Sequence, residues 1–451
     1  MASMNSNRRV LIFVTYSTVS LLLFSIIAES FHLKWPVFNR VNLVADIIHK
    51  DTLAIIDTSD NSLPAPIIVI KPHAKFSLYK KGHFITSFNT DTTQSSLKGF
   101  AQKLHDLKNG KKRKVRIAYF GDSMIEGDLF TQTLRKLLQQ TFGGTGVGFV
   151  PITSQVSKFR QTVSDDYSDG WEDENFRSGN NNKLFISGHL FRTYGAWVQM
   201  VDQTAAKKAD TLEKSLLCGY IRKPVKIIVN DRPVTINPDE AFNRIIINNT
   251  TGAGIKLSVS EAQLPVYGIS FESASGIFVD NFSFRGITGI EFANIDSSFL
   301  ESIKKNNPYD LIIFQYGVNM LYRPNDKNFN WYARAMLPVI KKFRNCFKES
   351  DFLLISTADR AFRYEGEYKS AIGIDSLVKV QAALAFQTNS GFYNQFETMG
   401  GANSMIDWVT RNPSLANKDY VHPNHRGAEI LGNYFFDALL DDYKKYVRSL
   451  K

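Results

Sequence analysis

The sequence predicts an α/β protein with a mostly parallel sheet, interrupted by a β-rich module and preceded by an apolar N-terminal segment. Apolar runs that end in a turn and hand over to residues at helical spacing recur at 115–123 and 310–319, and again near 353–356. Strands alternating with helices in this way argue for a parallel sheet covered on both faces. Between 183 and 264 the pattern changes to short strands joined by turns, as in antiparallel sheets with one wet face. At the start, the uncharged run 10–28 follows Arg8 and Arg9.

That first run is about as long as the roughly 20 residues that cross a bilayer as a helix. It is expected to be a single-pass signal anchor, with a cleaved signal peptide as the alternative because Ala28-Glu29-Ser30 has a small-x-small form. Positive charge ahead of the run places the rest of the chain across the membrane from the cytoplasm. Residues 1–30 form this segment. Residues 31–94 are expected to be a membrane-proximal stalk with strands at Ile67-Ile68-Val69-Ile70 and Phe84-Ile85-Thr86.

From Ser95 the spacing of Leu97, Phe100, Ala101 and Leu104 predicts a helix that Asn109-Gly110 closes. The central strand follows, Val115-Arg116-Ile117-Ala118-Tyr119-Phe120-Gly121-Asp122-Ser123, and then a helix over 129–142. Ser123 is thus delivered to a strand end, where open α/β sheets bind ligands. Gly143 to Pro151 reads as a glycine-rich rim loop, with no Lys-Ser/Thr pair to make it a phosphate cradle. Residues 165–182 read as a polar loop in which Trp171 either stacks on a sugar or anchors packing.

The inserted module is expected over 161–265, between catalytic parts 95–160 and 266–451. Val225, Ile227 and Val229 run into Asn230-Asp231, and Val234 and Ile236 return, a hairpin pattern. Ile245-Ile246-Ile247 with Ile255, Leu257 and Val259 suggests a second pair. Further on, helices at 331–347 and 376–386 flank the strand Leu353-Leu354-Ile355-Ser356.

An apolar fraction of 43% and an aromatic fraction of 13% suit a globular body. The net charge of +11 is spread out, and its one dense run, Lys111-Lys112-Arg113-Lys114, reads as a solvated loop; nothing resembles a nucleic-acid module. Cys218 and Cys346 lie in no metal-ligand spacing; they are either one disulfide or two buried thiols. No metal site, nucleotide loop or organic cofactor is suggested.

The residue types at the strand ends suit acyl transfer. A serine hydroxyl needs a base to take its proton, and His422 can be that base, with Asp419 three residues earlier fixing its tautomer. Asn319, after the strand Asp310-Leu311-Ile312-Ile313-Phe314-Gln315-Tyr316, can donate to an oxyanion together with backbone N–H groups.

In these stretches the chain resembles the SGNH (GDSL-type) hydrolases. Gly121-Asp122-Ser123 matches the first block, Gly317-Val318-Asn319 the third, and Asp419 to His422 with Pro423 the fourth. Arg285-Gly286-Ile287-Thr288-Gly289 is taken as the second, with Gly289 preferred over Gly286. Met320 stands where the family usually has an acidic residue. Gly121 through Asp128, Phe142-Gly143-Gly144, Gly146 through Pro151, Met399-Gly400-Gly401 and Trp408 look like the exported branch of peptidoglycan and polysaccharide O-acetylesterases, over residues 114–440 with the insert excepted.

The resemblance implies a three-layer α/β/α sandwich with a β-sandwich-like insert of carbohydrate-binding type or plain scaffolding. It implies a serine O-acetylesterase with Ser123 as nucleophile, His422 as base and then acid, and Asp419 as its partner. Ser123, Gly289 and Asn319 would form the oxyanion hole, and Asp122, Trp171 and Gly286 would touch substrate. The expected substrate is acetylated peptidoglycan or exopolysaccharide, the expected setting the bacterial periplasm, and a membrane acyltransferase is an expected partner. An O-acetyltransferase with the same triad and a non-catalytic glycan-binding protein on the same fold are the alternatives.

Overall fold

Val115, Ile117 and Tyr119 face one side of the central strand Lys114–Gly121, Ala118 and Phe120 face the other, and all five are buried. A strand with no wet face belongs in the middle of a sheet covered twice, which is why its sequence is a continuous apolar run. The structure, a computed structural model, describes residues 15–20, 23, 74–178, 183–206 and 210–451.

The central sheet has six strands in the order Ile85–Thr86, Gly391–Tyr393, Asp351–Ile355, Leu311–Gln315, Lys114–Gly121 and Gly276–Ser283. All neighbours are parallel except the edge strand Ile85–Thr86, which runs antiparallel to Gly391–Tyr393. Helices Lys98–Lys108, Thr131–Phe142 and His425–Ser449 cover the face that carries Val115 and Ile117. Ser297–Asn306, Asn330–Cys346 and Ile374–Gln387 cover the face that carries Phe120 and Phe314. The expected three-layer α/β/α arrangement is therefore present.

The β-rich module is a two-sheet antiparallel sandwich with its own core of residues such as Val198, Leu216, Leu257 and Phe271. One sheet runs Arg232–Ile236, Val225–Val229, Gly254–Val259, Ala196–Asp202, Val163–Tyr167. The other runs Phe242–Thr250, Leu212–Gly219, Val266–Glu272, His189–Thr193, Trp171–Asn175, with Gly148–Pro151 also pairing Val266–Glu272. The module thus spans about 148–272, wider than the expected 161–265, because Gly148–Pro151 and Val266–Glu272 are its strands. Gly146 enters it at φ 122°, where a Cβ would sit 2.3 Å from the carbonyl oxygen of Phe271, so only glycine fits there.

The Val225–Ile236 hairpin forms as expected, turning at Asn230 and Asp231 with φ of 49° and 62°. The second expected pair does not. Phe242–Thr250 and Gly254–Val259 lie in different sheets, each paired elsewhere, since the turn between them crosses the sandwich. Residues 165–182 are not a loop throughout: Val163–Tyr167 and Trp171–Asn175 are strands, and 179–182 lie outside the described residues.

The expected stalk falls partly outside the described residues, including its strand at 67–70. From Ala74 onward it is instead part of the body, because Ile85 and Thr86 extend the central sheet. Its end is tied down by Asp442 on the last helix, which accepts from Ser95 Oγ at 2.7 Å, Ser96 N–H at 2.7 Å and Leu97 N–H at 3.0 Å. Of the N-terminal unit, Met1–Ile68, only 15–20 and 23 are described; they are helical and exposed. The rest of the expected membrane span 10–28 lies outside the described residues, and among these no helix is long and apolar enough to cross a membrane.

The basic run before the central strand is a loop with Lys111 and Arg113 exposed, as expected, but its other two lysines are engaged in ion pairs. Lys112 pairs with Asp310 at 3.2 Å, while Lys114 and Arg116 reach the fully buried Glu272 of the sandwich at 3.1 and 2.8 Å. Arg244 joins them at 3.0 Å. Burial pushes the Glu272 carboxyl up, but the three cations outweigh it and hold it well below the usual carboxylate range. A carboxylate so depressed stabilises the fold above its unfolded pKa, roughly 4.3, and that contribution is lost as pH falls toward its folded value. Glu272→Gln removes the counter-charge shared by Lys114, Arg116 and Arg244, of which Lys114 keeps Glu213, and is expected to cost about 3–5 kcal/mol in denaturant unfolding near neutral pH. The difference from the parent should shrink as the medium is acidified.

Cys218 and Cys346 are both buried free thiols, which settles the choice left open by the sequence. Burial pushes the Cys218 thiol up to about 12.

Candidate active site

Ser123 lies just past the strand Lys114–Gly121, and Asn319 in the turn after Leu311–Gln315. These strands are neighbours, and the chain steps to opposite sides of the sheet from them. Such a reversal opens a crevice at the carboxyl ends of the strands. His422 and Asp419 reach it from the loop ahead of the helix His425–Ser449, whose start is capped by Asn424 accepting from Arg426 N–H at 3.0 Å and Gly427 N–H at 3.2 Å.

The three side chains are connected. Ser123 Oγ is 2.8 Å from His422 Nε2, and His422 Nδ1 is 2.8 Å from Asp419 Oδ2. The other Asp419 oxygen accepts from Val421 N–H at 3.0 Å and His422 N–H at 3.1 Å, so one carboxylate both folds the loop and orients the ring. Burial raises the Asp419 carboxyl, but the bonds from His422 and Val421 more than offset that and lower it. In this chain of bonds the Nδ1 proton points at Asp419 and the bare Nε2 faces the serine hydroxyl, the tautomer a general base requires.

Asp122, expected to touch substrate, does not. It is 1% exposed, and its carboxylate accepts from Met124 N–H at 3.0 Å and Asn319 Nδ2 at 3.2 Å. Burial pushes its carboxyl up to about 7 against these donors. It therefore holds the serine turn and Asn319 in mutual register. Asn319 Nδ2 also donates to Ile287 O at 2.9 Å, which ties the third block to the second.

In the second block the Glu291 carboxylate accepts from Thr288 N–H at 3.1 Å, and the backbone N–H of Gly289 helps to hold it charged. Gly289 is buried, whereas Gly286 is exposed, adopts φ 82°, and has an N–H with no partner among the described residues. Trp171 takes up the packing role, the other of its two expected roles. Its indole N–H donates to Trp197 O at 3.1 Å and its ring packs on the sandwich core, as a strand residue with a polar handle does.

No protein-family model matches the chain, and no curated protein matches its sequence. Among solved structures it is similar to a peptidoglycan O-acetylesterase, with a TM-score of 0.65 at 22% identity, covering 77% of this chain and 96% of that one. The chain has the SGNH-hydrolase fold. An acetyl xylan esterase from Geobacillus stearothermophilus also matches, at TM-score 0.28 and 20% identity over 37% of this chain and 73% of that one. So does a family two carbohydrate esterase from Cellvibrio japonicus, at TM-score 0.26 and 9% identity over 63% and 99%. Likenesses that slight add nothing to the first.

Within the SGNH fold, several supports of the site carry no motif. Tyr420 stands between Asp419 and His422 at φ 59°, a conformation that costs a bulky L-residue roughly 1–2 kcal/mol. It is held there from the hairpin Ala361–Tyr364/Glu367–Ser370. The Tyr368 ring stacks on Tyr420 with centroids 3.8 Å apart and planes at 11°, and Ala361 N–H donates to Tyr420 O at 3.1 Å. Arg360, just before the hairpin, donates to Val318 O at 2.8 Å and so braces the Asn319 turn. Met320 is buried in the core, where its apolar side chain packs.

Asn319→Ala removes the side-chain amide donor in the turn after Leu311–Gln315 and releases both Asp122 and Ile287 O. The loss expected for an oxyanion donor is about 10²–10³ in kcat, with a much smaller change in KM, measured by steady-state ester hydrolysis.

Proposed function

We propose that this protein is a serine-dependent carbohydrate O-acetylesterase acting on an acetylated cell-envelope polysaccharide, peptidoglycan or exopolysaccharide. The observation that carries the reading is the unbroken Ser123–His422–Asp419 connection, at 2.8 Å in both links, on a fold shared with a peptidoglycan O-acetylesterase. In this reading the body works outside the cytoplasm, and the apolar run 10–28 is its anchor or export signal.

The chemistry follows from the tautomer. Ser123 Oγ attacks the acetyl carbonyl carbon while His422 Nε2 takes the hydroxyl proton. The oxyanion is met by the Ser123 and Gly286 N–H groups and by the Asn319 amide, whose longer bond to Asp122 gives way. Collapse breaks the bond to the sugar oxygen, which leaves with the proton from His422. Water then attacks the acetyl-enzyme, His422 removes its proton, and acetate departs as Ser123 regains its hydrogen.

The test is acetate release from O-acetylated peptidoglycan and from an O-acetylated neutral polysaccharide, beside Ser123→Ala, with and without an unacetylated oligosaccharide acceptor. Serine-dependent release to water supports the esterase. Acetyl appearing on the acceptor would make the protein a transferase, and no serine-dependent release from either polymer would overturn the enzymatic reading.

A further inference from the structure

The surplus of positive charge, +11 over the chain, has no role in the triad, and part of it gathers at the far end of the α/β body. The active site opens at the carboxyl ends of the strands. Across their amino ends lies the helix Lys98–Lys108: Phe100 N–H donates to Asp351 at 2.7 Å and Lys103 pairs with Asp310 at 3.3 Å, residues that open Asp351–Ile355 and precede Leu311–Gln315. The run Lys111-Lys112-Arg113 then leads into Lys114–Gly121. The last helix ends in the same place, with ring centroids of Tyr443 and Phe142 5.1 Å apart and those of Tyr446 and His105 6.1 Å apart.

Lys98, Lys108, Lys111, Arg113, Arg448 and Lys451 stand on this end, exposed and in no ion pair among the described residues. The acids of the same segments do not balance them. Asp351 and Asp442 face inward onto backbone N–H groups, Asp441 pairs with Lys445 at 3.4 Å, and Asp91 closes its own turn by accepting from Thr93 N–H at 3.0 Å. Asp106 and Glu349 are what remains of them. Like charges gathered without counter-charge repel, so the arrangement favours an anionic partner.

The path of the chain says which partner. Strand Ile85–Thr86 runs against its neighbours, so the chain beyond it heads for their amino ends, and there Asn89 bridges Ala74, the first described residue of the body. Whatever precedes Ala74, the uncharged run 10–28 included, therefore joins the body at its basic end. We infer that this end is a docking surface for the anionic headgroups of a phospholipid bilayer. Exposed lysines are hydrated point charges on flexible stems, which suit a diffuse layer of headgroups better than a ligand that needs a fixed fork. The dock rests on the anchor reading of 10–28 for its setting and on none of the ester chemistry. Its consequence is orientation: the body stands on the lipid by the end opposite Ser123, and the active site faces away from the bilayer, toward the polymer.

The test is amine footprinting of the full chain, with a water-soluble acetylating reagent and mass spectrometry, on nanodiscs of phosphatidylcholine alone and of phosphatidylcholine mixed with phosphatidylglycerol. Reactivity of Lys108 and Lys111 is expected to fall about fivefold or more on the anionic discs at low salt. It should return in roughly molar sodium chloride, where the screening length is about 3 Å. Lys223 and Lys226, exposed on the sandwich, are the references and should not change. Reversal of three charges, Lys108→Glu, Lys111→Glu and Arg448→Glu, should free Lys98 and Lys451 from the protection they have in the parent, with circular dichroism and thermal midpoint unchanged. Equal reactivity on both discs, an equal loss at Lys223 and Lys226, or protection that survives the charge reversal would overturn the dock. Equal protection by a soluble acidic polysaccharide without discs would assign the surface to that partner and overturn the lipid. A chain that inserts into both discs without protection would fell the dock and leave the anchor standing, whereas protection on anionic lipid without insertion would do the reverse.

Discussion

Ser123→Ala is expected to lower kcat by about 10⁶-fold, the loss seen when a triad nucleophile is removed, while leaving the thermal midpoint close to that of the parent. Among the described residues the hydroxyl bonds His422 Nε2 alone, at 2.8 Å, and the turn that carries it is held by Asp122 and by backbone groups instead. Activity is thus separable from stability at this position. What turnover survives should come from the oxyanion donors and binding alone, which still exceed water by roughly 10³–10⁴. Steady-state acetate release with excess enzyme measures it, and near-parent rates would remove Ser123 from the mechanism.

Asp419→Asn should cost about 10⁴ in kcat, with KM little changed. The asparagine can keep its oxygen on the Val421 and His422 N–H groups, so the loop stays folded. Its amide N–H₂ then faces Nδ1, which must become the acceptor and move the ring proton to Nε2. A hydrogen there points at the serine hydroxyl and cannot abstract its proton. The side chain of Asp419 is 47% exposed, so its charge is partly screened by water and its main service is directional. Ring NMR of His422 in the variant should show the proton on Nε2; an Nδ1 proton with the rate loss intact would contradict this account.

The parts legible in the sequence were those whose physics is local. Val115 through Phe120 and Leu311 through Phe314 are unbroken apolar strands because both faces are covered, and the Val225–Ile236 hairpin shows its period and its turn residues together. Ser123, Asn319, Asp419 and His422 follow from residue type and order. Module boundaries were not legible, because Gly148–Pro151 and Val266–Glu272 are as apolar as central-sheet strands and differ only in which partners they pair with. The fold around Gly289 carried a local signal: Thr288-Gly289-Ile290-Glu291 has the spacing of a capping box, in which the acid reaches back to the first N–H group. Asp122 looked like a site residue because it adjoins Ser123, and only burial reveals that it faces inward. Tyr368 is joined to Tyr420 by a stacking contact between distant segments, which no spacing rule announces.

The strand Ile85–Thr86 and the three bonds that Asp442 makes to Ser95, Ser96 and Leu97 bear on how the protein can be handled. A protein trimmed to begin at residue 95 would bare the outer backbone edge of Gly391–Tyr393, a row of unmet N–H and C=O groups beside apolar residues. Such an edge recruits a strand from the next copy, and the result is aggregates rather than a soluble enzyme. The safe place to cut lies ahead of Ala74, whose bridge to Asn89 starts the strap that seals the sheet.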